Sequence, residues 1–204
     1  MKLATLAISA ILIAGGAGPA AGQTGASQVA VAFTGGSTWT SPSTGICIWY
    51  LPLVGDLEFA SLFNGPLFGA SVADREHSRF IWVSDFSVQV LPANQSFNLL
   101  ALVPAGTATI YYTDRPDLRD WTDLTNRSTW GQPVATFARR AGLYQSADMG
   151  ATDTFIFSAD LVTSTPFKLN GQTFDFKDVI PHGMTCHETG VNGAEAGTCL
   201  AKGQ

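Results

Sequence analysis

The sequence predicts an all-β protein, most economically a single-domain antiparallel β-sandwich of jelly-roll or Ig-like general architecture. Three observations carry that prediction. The residues that coat exposed helices are scarce: the 204 residues hold four Glu and four Lys against twelve Asp, and only 13% are charged, about half the usual share. Turn formers are plentiful, with 21 Gly and 10 Pro, each suited to a particular turn geometry. Between these turns, short apolar runs alternate with polar positions at a period of two, the spacing of a half-buried strand. A regular strand–helix rhythm is missing, which argues against a parallel α/β sheet.

The same composition excludes whole functional classes. An apolar share of 46% is too high for a disordered chain. Lys and Arg number 11 against 16 Asp and Glu, a net charge of −5, so the basic footprint of a nucleic-acid binder is absent and no nucleic-acid partner is expected.

The N-terminus reads as an address. Met1-Lys2 is followed by an apolar stretch over residues 3–14 and by small residues ending in Ala20-Ala21-Gly22, the three parts of a secretory signal peptide. The apolar stretch is shorter than the roughly 18 residues needed to cross a bilayer. We therefore expect a signal peptide at residues 1–22, cleavage before Gln23, a secreted or periplasmic protein, and no stable membrane span once the leader is removed. The remaining chain is long enough to build a core without metal or cofactor, and no cofactor is expected.

Taken in order, residues 28–34 (QVAVAFT) place Val29, Val31 and Phe33 on one face of a strand, punctuated by Gly35-Gly36. Residues 46–53 (ICIWYLPL) are apolar on both faces, as in a strand buried on both sides, with Pro52 ending its regular pairing. Residues 56–64 form the best helix: Asp56 caps it, Glu58 lies in its first turn, and Asn64-Gly65 stops it. Strands follow at 79–85, 86–91, 97–103, 107–113, 134–140, 142–145 and 154–163. A hairpin over 167–176 turns at Asn170-Gly171, a pair that favours a type I′ turn. Residues 114–131 form a long polar loop, a length that is usually functional. The expected organisation is a leader at 1–22, a sandwich domain at 23–182, and a Gly-rich C-terminal tail at 183–204 tied down at its cysteines.

Three cysteines, Cys47, Cys186 and Cys199, allow one internal bridge in an oxidising compartment. The glycine-rich loop between Cys186 and Cys199 favours that pair, leaving Cys47 as a small apolar residue in a buried strand. A weaker alternative uses His182, Cys186 and His187 as metal ligands, although adjacent residues reach one ion awkwardly. Asp114, Asp117, Asp120 and Asp123 recur every third residue and are candidate ligand-binding carboxylates, with Arg115 and Arg119 interleaved to neutralise them. Trp121 and Trp130 in the same loop, and Trp39 in a Ser/Thr-rich segment, are candidate stacking platforms for a carbohydrate.

No nucleophile elbow, zinc-protease helix or phosphate loop occurs in the chain, so no catalytic residue is assigned. Glycosidases need only two carboxylates gathered by the fold, and Asp74, Glu76, Asp85 or the Asp114–Asp123 run would supply them. The leading expectation is a non-enzymatic binding or surface-interaction protein with a carbohydrate or protein ligand. A secreted glycosidase-like hydrolase is the first alternative, and a metal-binding protein using the C-terminal His/Cys cluster is the second.

Overall fold

The computed structural model describes residues 29–57, 59–63, 76–91, 99–147 and 151–203. The expected signal peptide lies outside the described residues. Among the described residues twelve strands run in chain order: β1 Val29–Ser41, β2 Thr44–Val54, β3 Phe80–Ser87, β4 Gln89–Leu91, β5 Leu99–Val103, β6 Gly106–Tyr112, β7 Gln132–Ala147, β8 Thr152–Ser164, β9 Phe167–Leu169, β10 Gln172–Phe174, β11 Met184–Val191 and β12 Ala194–Ala201. Two single-turn helices, α1 (Phe59–Leu62) and α2 (Phe176–Val179), and a 3-10 turn at Pro116–Leu118 complete the list.

The all-β expectation holds, but the sheet closes on itself. Following hydrogen-bonded neighbours gives β1-β2-β3-β6-β7-β8-β11-β12, and β12 pairs back with β1. Every pairing is antiparallel. The architecture is therefore an eight-stranded up-and-down barrel rather than a sandwich. The alternation of apolar residues reports which face of a strand is dry, and that is the same in both architectures. Which edges pair is decided elsewhere. Two excursions leave the barrel: the β4–β5 hairpin, whose second strand lies along Gly142–Ser146 of β7, and the β9–β10 hairpin with α2.

The expected C-terminal tail is a second correction. Residues 184–201 form the hairpin β11–β12 and supply two of the barrel's eight strands. Its turn is Asn192-Gly193, with φ of 51° and 81°, the left-handed pair that a type I′ turn requires and that Asn-Gly supplies at least cost. The hairpin at Asn170-Gly171 uses the same device, with φ of 50° and 81°. Several boundaries also moved. β1 runs straight through Gly35-Gly36, the two runs expected at 134–145 form one strand, and β2 continues past Pro52 to Val54. Pro52 sits where the β1–β2 register shifts between Ala32 and Thr34, so its missing N–H falls at an irregularity in the ladder.

The barrel interior has three levels. At one end Phe80, Tyr112, Phe167 and Phe176 stopper the barrel, with ring centroids such as Tyr112–Phe167 at 4.6 Å and Phe80–Phe167 at 5.6 Å. The waist is packed by Phe33, Trp49, Trp82, Phe137 and Phe157, with Trp49–Trp82 at 5.1 Å and Trp49 stacked on Phe157 at 6.1 Å. The third level, beyond the waist, is open. The Cys186–Cys199 disulfide bridges directly opposed residues of β11 and β12 and lies inside the barrel; Cys47 is free and buried.

A second apolar layer lies outside the wall. Ile46, Ile48 and Tyr50 of β2 and Ile81 and Val83 of β3 point outward and are covered by the loop over residues 113–131, chiefly by Trp130. β2 is thus buried on both faces, as its composition requires. Arg119 anchors the cover: its guanidinium donates to the backbone carbonyls of Ser78, Arg79 and Trp130, and burial lowers its pKa to about 10. Asp85 and Arg127 pair at 2.6 and 2.7 Å beside it.

Two outcomes follow from this packing. Replacing both Cys186 and Cys199 by Ala should leave the barrel folded but lower its unfolding free energy by about 2–4 kcal/mol, read from urea titrations in the absence of reductant. Arg119→Met should release the outer loop at a cost of roughly 2–3 kcal/mol, and the emission of Trp121 and Trp130 should shift to the red. Unchanged emission and stability in Arg119→Met would show that the loop is held elsewhere.

Candidate functional site

The open end of the barrel forms a cavity of about 230 Å³. Strand alternation explains its lining. Along β11, Met184, Cys186, Glu188 and Gly190 face inward, and along β12 so do Glu195, Gly197 and Cys199. The apolar wall is made by Trp39, Phe86, Val88, Val103, Tyr144 and Phe155, and the polar side by Ser37, Cys47, Asp153, Glu188 and Glu195. Trp39, 41% exposed, forms the rim, edge-on to Phe86 at 5.0 Å and to Tyr144 at 6.3 Å.

Among the described residues, three carboxyl groups share this end, brought together by the register of three strands. Gly190 pairs with Asp153 of β8 on one side and with Glu195 of β12 on the other. A Cβ at position 190 would collide with Asp153 Oδ1, so the glycine provides the space into which the Asp153 carboxylate leans. Glu188, 2% exposed, lies one inward step along β11 and within hydrogen-bonding reach of Glu195.

The electrostatics separate their roles. Glu195 accepts a hydrogen bond from Trp49 Nε1 at 2.9 Å and a further one from the Ser37 hydroxyl. Burial raises its pKa, while these donors favour its anion. Glu188 has no such donors. Burial, then the neighbouring Glu195 charge, pushes it up to about 10. Glu188 is therefore the protonated member of the pair at neutral pH, and the donors to Glu195 make Glu195 the member that ionises first. Asp153 is raised by burial and held back by the Tyr144 hydroxyl and the Gly190 N–H. Cys47 lies 2.9 Å from Ser37 Oγ, and burial, then Glu195, pushes its thiol up. It is a neutral thiol, not a nucleophile. Arg139 is the buried guanidinium of the interior, and its hydrogen bonds go to Pro104 O at 3.2 Å and Ser84 Oγ at 3.0 Å.

The residues singled out in the sequence fare unevenly. Trp39 lines the cavity. Trp130 is fully buried and Trp121 half-buried, their rings tilted against each other at 5.8 Å on the outer layer, so their work is covering the barrel wall rather than presenting a stacking face. The four Asp of the loop do not converge. Asp114 accepts from the Tyr112 hydroxyl, Asp117 pairs with Arg115 at 2.8 Å, and Asp120 and Asp123 accept from the N–H and hydroxyl of Thr122 and Thr125. These are local turn and cap bonds. His187 points outward while its neighbour Cys186 points inward into the disulfide, and His182 is exposed. Adjacent residues of a strand face opposite ways, which removes this cluster as a metal centre. Among the described residues no three His, Cys, Asp or Glu side chains are placed to hold a metal ion. Glu76 is exposed, Asp85 is paired with Arg127, and Asp74 lies outside the described residues.

Glu188, Glu195 and Asp153 were not anticipated as site residues. The signal was present: Val191-Asn192-Gly193-Ala194 is a hairpin turn of the same kind as Asn170-Gly171, and counting back by twos from it puts Glu188 and Cys186 on one face. Among the described residues no helix is long and apolar enough to cross a membrane. Compared with family models, curated proteins and solved structures, the chain matches none.

The protonated Glu188 has a consequence for stability. The folded state holds this proton more tightly than the unfolded chain, so its contribution is full below the ordinary Glu value of 4.5 and is lost as pH rises towards about 10. Urea midpoints measured across that window should fall with rising pH. In Glu188→Gln the fall should be shallower, with the variant matching the parent in acid and exceeding it in alkali. Parallel profiles for the two proteins would show that Glu188 is already ionised at neutral pH.

Proposed function

We propose that this protein is a secreted or periplasmic binding barrel that takes a small molecule into its open end without transforming it. The observation that carries the reading is the contrast between the barrel's two ends. One end is stoppered by packed aromatic rings, and the other keeps a cavity of about 230 Å³ with an apolar wall on one side and oriented polar groups on the other. A mostly apolar concavity with a few convergent polar groups is the usual form of a small-molecule site. An eight-stranded barrel is wide enough either to be filled by side chains or to hold one small ligand, and this one does the first at its waist and the second above it.

The rest of the chain is consistent with this role. The N-terminal pattern reads as an export signal, and the internal disulfide suits an oxidising compartment. Binding without chemistry is favoured by the state of the polar groups. Cys47 is held as a thiol, and Glu188 and Glu195 lie within hydrogen-bonding reach. Glycosidases instead hold their two carboxyl groups about 5–9.5 Å apart, with the sugar between them. A carbohydrate or protein ligand on the outer Trp loop has less support, because Trp130 is buried there.

Nuclear magnetic resonance titration with a panel of small aromatic and alicyclic fragments, neutral, cationic and anionic, tests the reading. Binding fragments should perturb resonances of Trp39, Phe86, Tyr144 and Phe155 together, and Val88→Trp, which fills the cavity, should abolish the effect. A panel in which no charge class perturbs those residues would sink the proposal.

A further inference from the structure

Among the described residues, two buried carboxyl oxygens at the open end have no hydrogen-bond partner: Glu188 Oε2 and Asp153 Oδ1. Both residues line the cavity. Buried polar atoms are nearly always paired, and an exception asks for an explanation. Among the described residues, none supplies the missing donors. Among the described residues, the groups that interact with Glu188 are Glu195 from β12, Asp153 from β8, Cys47 from β2 and Tyr144 from β7, and Arg139 from β7 interacts with Cys47. Arg139 is the one cation among these described groups, and its hydrogen bonds go to Pro104 O and Ser84 Oγ. The end of the barrel is thus acidic, short of donors and walled by aromatic rings.

We infer that the occupant of this cavity is a small organic cation, an ammonium group carried on an apolar or aromatic body. Its N–H donors meet Glu188, Glu195 and Asp153, and its body lies against Trp39, Phe86 and Tyr144. The inference rests on the binding reading above and names the ligand class for the same site. A cation satisfies the orphaned oxygens and the negative charge together, and aromatic faces at the rim attract a cation during entry. A bare metal ion fits less well, because it leaves the apolar wall without a partner.

Binding is coupled to one proton. Glu188 enters the reaction as the acid; the ammonium group replaces its proton as the partner of the carboxylate, and that proton passes to the solvent buffer. No covalent bond to carbon forms or breaks, and the ligand keeps its own charge.

The experiment is calorimetric titration of the mature protein with 2-phenylethylamine, 2-phenylethanol and phenylacetate, repeated with calcium chloride alone. The amine should bind at least about tenfold more tightly than the alcohol, a difference well within reach of one desolvated charge pair. Its affinity should rise from about pH 6 to about pH 8.5, with proton release seen as a dependence of the heat on buffer ionisation enthalpy. Glu195→Gln and Asp153→Asn should each weaken the amine and spare the alcohol, and Glu188→Gln should abolish the proton release. If the alcohol or phenylacetate binds as well as the amine, the cation assignment is overturned while the binding barrel stands. Calcium that binds the site and excludes the amine overturns it in favour of a metal. If none of the probes binds, the inference falls, and a fragment panel that is equally silent takes the binding reading with it.

Discussion

The structure depends on one pairing, that of the C-terminal hairpin between the first strand and the eighth. β12 bonds along β1 with Val31 opposite Cys199 and Phe33 opposite Gly197, and β11 bonds along β8 with Cys186 opposite Phe157. Without those two ladders the meander from β1 through β8 would be an open sheet with long unpaired edges, a surface that proteins normally hide. With them, the inner faces of eight strands enclose one space, and the aromatic residues of the waist have a common interior to fill. The disulfide lies within this hairpin, so it strengthens the element on which closure depends.

Closure also sets the conflict at the open end. The waist excludes water, and the same hairpin that completes it carries Glu188 and Glu195 inward. Burial disfavours charge on a carboxylate, and the structure answers unevenly. Glu195 receives Trp49 and Ser37 as donors, Asp153 receives Tyr144, and Glu188 receives none and keeps its proton. Two of the buried oxygens without a hydrogen-bond partner among the described residues, Glu188 Oε2 and Asp153 Oδ1, lie at this end. A breach of local rules is the kind of feature that functional sites carry, and the binding proposal rests on it. Trp49 links the two levels, because its ring packs the waist while its N–H holds the floor of the cavity.

Much of the fold was legible in the sequence. The strand period of two, the Asn170-Gly171 turn, the double-sided burial of residues 46–53 and the Cys186–Cys199 pair could all be read from local pattern, because each depends on neighbours a few residues away or on a count of cysteines. The site was hardest to read, for a physical reason. Strands were recognised by apolar residues on one face, and the inward face of β11 and β12 consists of Glu188, Gly190, Glu195 and Gly197 alongside the cysteines. The residues that make the cavity polar are the ones that made the hairpin look like a tail. In the loop at 113–131 the Asp run and the two Trp do local work: Asp120 and Asp123 accept from turn N–H groups, and the Trp rings cover the outside of β2.

Composition and periodicity by themselves determined that the chain is all-β, sparsely charged, poor in exposed helix and able to bridge Cys186 to Cys199. They did not determine that the sheet is a barrel, because a strand's pattern shows its buried face and not its partner edge. Only the tertiary structure decided that β12 returns to β1, and with it that Asp153, Glu188 and Glu195, spread over 43 positions of chain, meet at one end. That meeting is a matter of long-range register. Gly190 must stand between Asp153 and Glu195 for the three carboxyl groups to share a space, and no local pattern encodes a neighbour two strands away.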